Sequence, residues 1–131
     1  MIDPIIIEPQ FQKASGDCAV CCLRMLLGVE YTTVMAVIPK RVKVSINGLT
    51  VRQMRGVARR LGADVRFRLR APDDDEIGII SLEKPNDDEG HVAMFLYGMV
   101  FDTSSGLIYT DLGAYLLASG WEVAGFLWRE K

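Results

Sequence analysis

Histidine is almost absent from this chain, cysteine is scarce, and no stretch is apolar for long enough to cross a bilayer. The three cysteines, Cys18, Cys21 and Cys22, sit within five positions. That odd, crowded set is no disulfide framework and fits a reducing compartment. The longest apolar runs fall far short of the roughly 20 residues a membrane span needs. No basic-then-apolar signal opens the chain, because Met1-Ile2-Asp3-Pro4 carries an acid where a signal carries Lys or Arg. A cytoplasmic location without membrane contact is therefore expected. An excess of charge of one sign is missing as well. The formal net charge is −2, which gives no whole-molecule attraction to nucleic acid or to a membrane surface. Internal repeats, linkers and low-complexity tracts are also absent, and 131 residues leave room for one core of ordinary size. The expectation is a single domain over residues 1–131, with residues 1–16 as an extended arm restricted by Pro4 and Pro9.

What is present is a soluble-protein balance, with 50% apolar and 24% charged residues, and a change of periodicity partway along. A helix is expected from Asp17, capped by Asp17 or Ser15 and closed by Gly28 in a left-handed conformation. Cys18, Cys21, Cys22 and Met25 have i, i+3, i+4, i+7 spacing and share one face of it. A short helix follows over Thr32 to Ile38, stopped by Pro39. Thr50 and Gln53 have capping-box spacing, with Leu49 and Met54 placed as a staple. Behind them Val51, Met54, Val57, Ala58 and Leu61 form an apolar stripe that Gly62 ends.

Beyond Gly62 the period becomes two. Val65, Phe67 and Leu69 alternate with Arg66, Arg68 and Arg70, as in a strand with one wet face. Further strands are expected at Ile77 to Leu82, His91 to Tyr97 and Met99 to Asp102, the last two joined at Gly98. A helix over Thr110 to Ser119, weakened by Gly113 and ended by Gly120, precedes a closing strand from Trp121 to Trp128. Helices followed by an antiparallel sheet define an α+β domain.

The chemistry-bearing residues are few. A thiol in the first turn of a helix lies where unpaired N–H groups and the macrodipole favour the thiolate, which is the nucleophile. Cys18 has that position; Cys21 and Cys22 lie a turn further in and read as inert core. A thiol-dependent acyl transfer needs a base that titrates near neutral pH, and the chain has one histidine, His91. Eleven residues later, across the Gly98 turn, Asp102 is placed by a hairpin to orient the imidazole.

These pieces also resemble a known family. The segment from Gln12 through Asp17-Cys18 and the Leu/Met-rich helix to Gly28 resembles the active-site segment of the C39-like cysteine peptidases, papain-like relatives of the double-glycine leader peptidases. Gly48-Leu49-Thr50 with its helix and Leu61-Gly62 looks like that family's middle section. The strands His91 to Gly98 and Phe101-Asp102 look like its histidine and aspartate strands. The resemblance implies a papain-like fold and a thiol-dependent hydrolase cleaving a peptide or isopeptide bond in a peptide or protein substrate, without a cofactor or metal. It implies Cys18 as nucleophile, His91 as general base and acid, and Asp102 as the group orienting His91. Gln12 would donate its side-chain amide, with the Cys18 backbone N–H, to the oxyanion; Gln10 is the second choice. Two positions depart from the pattern: Ala19 replaces a glycine, and Thr103 stands where proline is frequent. The chain has no G-x-x-x-x-G-K-[ST] loop, so a free-standing domain is expected rather than a transporter part.

Other readings remain open at this point. Cys18, Cys21, Cys22 and His91 could ligate a metal, although a second knuckle is missing. Asp73-Asp74-Asp75-Glu76 lacks the spacing of a calcium loop and reads as a solvated turn. Lys40 to Arg70 holds ten of the fifteen basic residues and one acid, while Asp73 to Glu89 holds eight of the seventeen acids. Arg52, Arg55, Arg59, Arg66, Arg68 and Arg70 could therefore form a binding face on a catalytically silent module. Aromatics that would stack nucleic-acid bases are not interleaved with them, except Phe67 on the opposite face. A papain-like framework could also pass its acyl group to an amine instead of water.

Overall fold

The computed structural model describes residues 18–42, 49–85 and 90–130. The arm over 1–16, the cap at Ser15 or Asp17, Gln10, Gln12 and Gly48 lie outside the described residues.

The chain opens with α1 (Cys18–Leu27), in which Ala19 to Leu23 and Met25 to Leu27 are all buried. Apolar residues all around a helix require cover on every side, and α1 lies in the middle of the molecule, against three strands and two helices. Gly28 ends it at φ 68°, its N–H donating to the Arg24 carbonyl at 2.7 Å. The second helix, α2, spans Tyr31–Ala36, shorter than the expected run because the Val37 N–H turns back to Val34 before Pro39 is reached.

Helix α3 (Val51–Arg60) begins with the capping box. The Gln53 N–H donates to Thr50 Oγ1 at 3.1 Å, and the Thr50 N–H donates to Gln53 Oε1 at 2.8 Å. Met54, Val57 and Ala58 face the core.

Six strands follow: β1 (Val65–Arg68), β2 (Ile77–Glu83), β3 (Gly90–Leu96), β4 (Met99–Asp102), β5 (Leu107–Tyr109) and β6 (Glu122–Arg129), with α4 (Leu112–Ser119) between the last two. They form one antiparallel sheet in the order β1-β6-β2-β3-β4-β5. The α+β class and the antiparallel sheet agree with the sequence reading. Strand β5 was not anticipated. It is three residues long, carries exposed Leu107 and Ile108, and exists because β4 pairs with it across the turn at Gly106.

Alternation along the strands builds two cores. Ile79, Val92, Met94, Phe101 and Leu127 point toward α1, α2 and α3. Ile80, Ala93, Phe95, Val100 and Phe126 point to the other face, where Tyr115, Leu112 and Leu116 of α4 cover them. Each fully buried aliphatic side chain in these layers stabilises the fold by roughly 2 kcal/mol. Asp111 caps α4, its carboxylate accepting the Ala114 N–H at 2.7 Å, and Gly120 closes it in the left-handed region. That leaves Gly113 in the first turn, where its flexibility does little harm.

Arg66, Arg68 and Arg70 do not present free charge. Arg68 grips Glu76 through both terminal nitrogens and lies over the Phe126 and Trp128 rings. Arg66 pairs with Asp64 at 3.2 Å, and Arg70 with Asp73 at 3.5 Å. Arg55 donates to the Val65 carbonyl. The acidic loop after β1 thus partners Arg68 and Arg70, while Arg66 is paired by Asp64 just before the strand.

Candidate active site

Cys18 is the first residue of α1 and is half-buried, whereas Cys21 and Cys22 are wholly buried. The helix is inserted so that this end meets the sheet beside β3, where His91 is the second residue of the strand. The β3–β4 hairpin turns at Tyr97 and Gly98, both at positive φ, a geometry that matches the twist of the flanking strands. Its register pairs Leu96 with Met99 and Met94 with Phe101. Continuing that register sets Asp102 opposite Ala93, and His91 lies diagonally across on the same face, within reach of a long side chain. His91 Nε2 and Asp102 Oδ1 are 3.1 Å apart, and both side chains are about nine-tenths buried.

The remaining contacts assign each group its charge. Burial pulls the His91 imidazole toward its neutral form. Hydrogen bonds with Asp102 and with Cys18, and the negative charge of both, outweigh that and raise it to about 9. With Nε2 taken by Asp102, Nδ1 is the ring nitrogen left for the thiol. Burial also opposes ionisation of Asp102, but hydrogen bonds from His91, Tyr115 and Ser104 hold it well below the usual carboxylate range. Burial drives the Cys22 thiol up, helped by Cys18, Cys21 and Asp102, which keeps it a neutral core residue as its spacing implied.

Three residues of this cluster had no signal in the sequence. Tyr115 donates its hydroxyl to Asp102 Oδ2 at 2.7 Å. Ser104 donates its N–H and hydroxyl to Asp102 Oδ1 at 2.9 and 2.7 Å. Trp121 stacks on the His91 ring. Tyr115 and Trp121 reach the site only through the packing of α4 and the chain after it against the sheet, while Ser104 bonds Asp102 within the turn that follows it. His91 and Asp102 are hydrogen-bonded to each other, and Cys18 lies near enough to influence the His91 ring; Gln12 and Gln10 are not among the described residues. Among those described, the cysteines and His91 do not converge as a metal-ligand group. Asp73, Asp75 and Glu76 do bring carboxylate oxygens within 4.8 Å of one another, yet Glu76 is already bound by Arg68 and by the Asp73 N–H.

Helices packed on a six-stranded antiparallel sheet, with the first helix aimed at a buried His–Asp pair, place the molecule in the α+β fold of peptidase domains. The model of the Peptidase C39 family matches residues 7–75, and the chain belongs to that family. The matched stretch includes Gln12 and Cys18 and ends before His91 and Asp102. The fold is similar to the crystal structure of the peptidase domain of Streptococcus ComA, a bi-functional ABC transporter involved in a quorum sensing pathway. The two share 13% identity at a TM-score of 0.63, over 92% of this chain and 95% of that one. No curated protein matches the chain. Among the described residues, no helix is long and apolar enough to cross a membrane.

Proposed function

We propose that the protein is a cysteine peptidase that cleaves a peptide or isopeptide bond in a peptide or protein substrate through an acyl-enzyme on Cys18. The observation that carries this reading is the placement of His91. One ring nitrogen is bonded to a buried carboxylate, and the half-buried thiol at the start of α1 lies near enough to help hold the ring in its protonated form. In this mechanism Cys18 Sγ gives its proton to His91 and attacks the scissile carbonyl carbon. The oxyanion is met by the Cys18 backbone N–H and the Gln12 side-chain amide. His91 returns the proton to the leaving amine as the C–N bond breaks, which leaves a thioester. Water then attacks the thioester, with His91 taking its proton, and the thiol is regenerated. Asp102 holds the ring with Nδ1 toward sulfur throughout and offsets the charge of the imidazolium. Membership in the Peptidase C39 family supports this class of reaction.

The test is cleavage of a diverse peptide library followed by mass spectrometry. Cleavage products are expected from the wild-type protein and from neither Cys18→Ala nor His91→Ala. Products that persist in folded Cys18→Ala would refute the assignment.

A further inference from the structure

The proposed chemistry gives no task to the buried hydroxyl of Tyr115. Tyr115 is 1% exposed on the inner side of α4. Its ring packs edge-on against Tyr109, with centroids 5.0 Å apart, and among Phe95, Val100 and Phe126. A phenylalanine would fill the same apolar space, so packing accounts for the ring and not for its oxygen. That oxygen lies 2.7 Å from Asp102 Oδ2. The other carboxylate oxygen, Oδ1, faces His91 Nε2, the Ser104 N–H and the Ser104 hydroxyl.

We propose that Tyr115 is a positioning residue: its hydroxyl anchors Oδ2 of Asp102 to α4, so that Oδ1 stays on His91 Nε2. This inference rests on the reading of the site as catalytic. The division of labour at the carboxylate supports it. Ser104 is two residues from Asp102 in the same turn, so its bonds travel with the group they hold. Tyr115 comes from a separate helix and ties the carboxylate to the body of the domain. Its hydroxyl remains a donor through the working pH range, because burial and then the adjacent Asp102 charge raise its ionisation far above neutrality. Without it, a buried carboxylate oxygen loses its donor, at the full desolvation penalty of that group. The carboxylate then rotates toward another donor or takes up a proton, and either change weakens its hold on the imidazole.

The experiment uses the fact that His91 is the only histidine in the chain. Its ring can be titrated by ¹H–¹⁵N NMR without assignment ambiguity, in the intact protein and without a substrate. The wild-type midpoint is expected near the raised value of about 9. In Tyr115→Phe it should fall by about one pH unit or more, as the charge partner loosens and burial of the ring prevails. Leu116→Ala, on the same helix and half-buried in the same core, should lower thermal stability and leave the midpoint in place. An unchanged or higher midpoint in folded Tyr115→Phe would overturn the proposal. So would an equal fall in Leu116→Ala, which would assign the effect to a loosened helix. A wild-type midpoint near the ordinary 6.5, unresponsive to Asp102→Asn, would instead remove the catalytic reading and this inference with it.

Discussion

The His91 imidazole lies stacked on the Trp121 indole, with ring centroids 5.4 Å apart and planes 19° apart. Lys84 Nζ sits 4.5 Å from the centroid of the same indole. The indole thus covers one face of the His91 ring and limits water around its bond to Asp102, which strengthens an interaction between charged partners. Trp121 reaches this place because Gly120 closes α4 in the left-handed region and redirects the chain. Trp121→Ala is expected to lower turnover roughly ten- to a hundredfold through a looser imidazole, while Trp121→Phe retains most activity. Steady-state rates for the two variants, compared with their melting temperatures, check this. Equal rates for Trp121→Ala and wild type would show that the stack is packing alone.

Cys18 is half-buried and Cys21 and Cys22 are fully buried, so brief treatment with iodoacetamide near neutral pH should alkylate Cys18 alone. Peptide mapping by mass spectrometry identifies the labelled site. Preferential labelling of Cys21 or Cys22 would move the nucleophile elsewhere. His91→Ala should slow the reaction at Cys18, because it removes the group that accepts the thiol proton. Identical rates from pH 5 to pH 9 would mean that the two side chains do not act together.

Asp102→Asn keeps the size of a buried side chain that accepts bonds from His91, Ser104 and Tyr115, but removes its charge. Turnover is expected to fall by about a hundredfold or more, since the imidazole loses both its orienting acceptor and the charge that steadies its protonated form. Stability should change less than activity. A variant that melts far lower yet cleaves normally would make Asp102 a structural residue.

The raised His91 value also links stability to pH. The folded state binds that proton more tightly than the unfolded chain, so the stabilisation is complete below about pH 6.5 and disappears as pH rises through about 9. Denaturant midpoints measured across this window should decline, corresponding to a loss on the order of a few kcal/mol. His91→Gln should flatten the decline. Asp102 has the opposite sign, its contribution being lost only as pH falls below its ordinary value of 3.8. A flat profile in the wild type between pH 6.5 and 9 would contradict the His91–Asp102 coupling.

Away from the site, Thr50→Ala removes the side-chain half of the α3 capping box. The expected loss is about 1 kcal/mol, read as a lower midpoint in urea with no change in the rate of Cys18 alkylation. An altered alkylation rate would tie the N-terminus of α3 to the site.

Local physics made much of this protein legible in advance. The alternation read over Val65 to Arg70 holds only as far as Arg68, with Leu69 exposed beyond the strand. The capping box at Thr50 and Gln53, the apolar stripe of α3 and the turn at Gly98 are short-range features. Each is set by sterics and hydrogen bonding within a few residues, and each was found where the sequence placed it. The bond between His91 and Asp102 was legible for a different reason. The chain has one histidine, and a hairpin register links it to the aspartate.

The long-range partners had no comparable trace. The edge strand Leu107–Tyr109 shows no alternation of its own. Tyr115 and Trp121 lie on either side of Gly120, in a segment whose residues say only helix, glycine and strand. Their roles follow from α4 crossing the far face of the sheet and from the order in which six strands pair. By itself the sequence determined which residues could act and which elements they begin or end, because those choices are governed by backbone conformation. Only the tertiary structure decided which donors meet the second oxygen of Asp102 and what covers the His91 ring. Those contacts join segments that share no local geometry and meet solely because the two apolar faces of one sheet must both be buried.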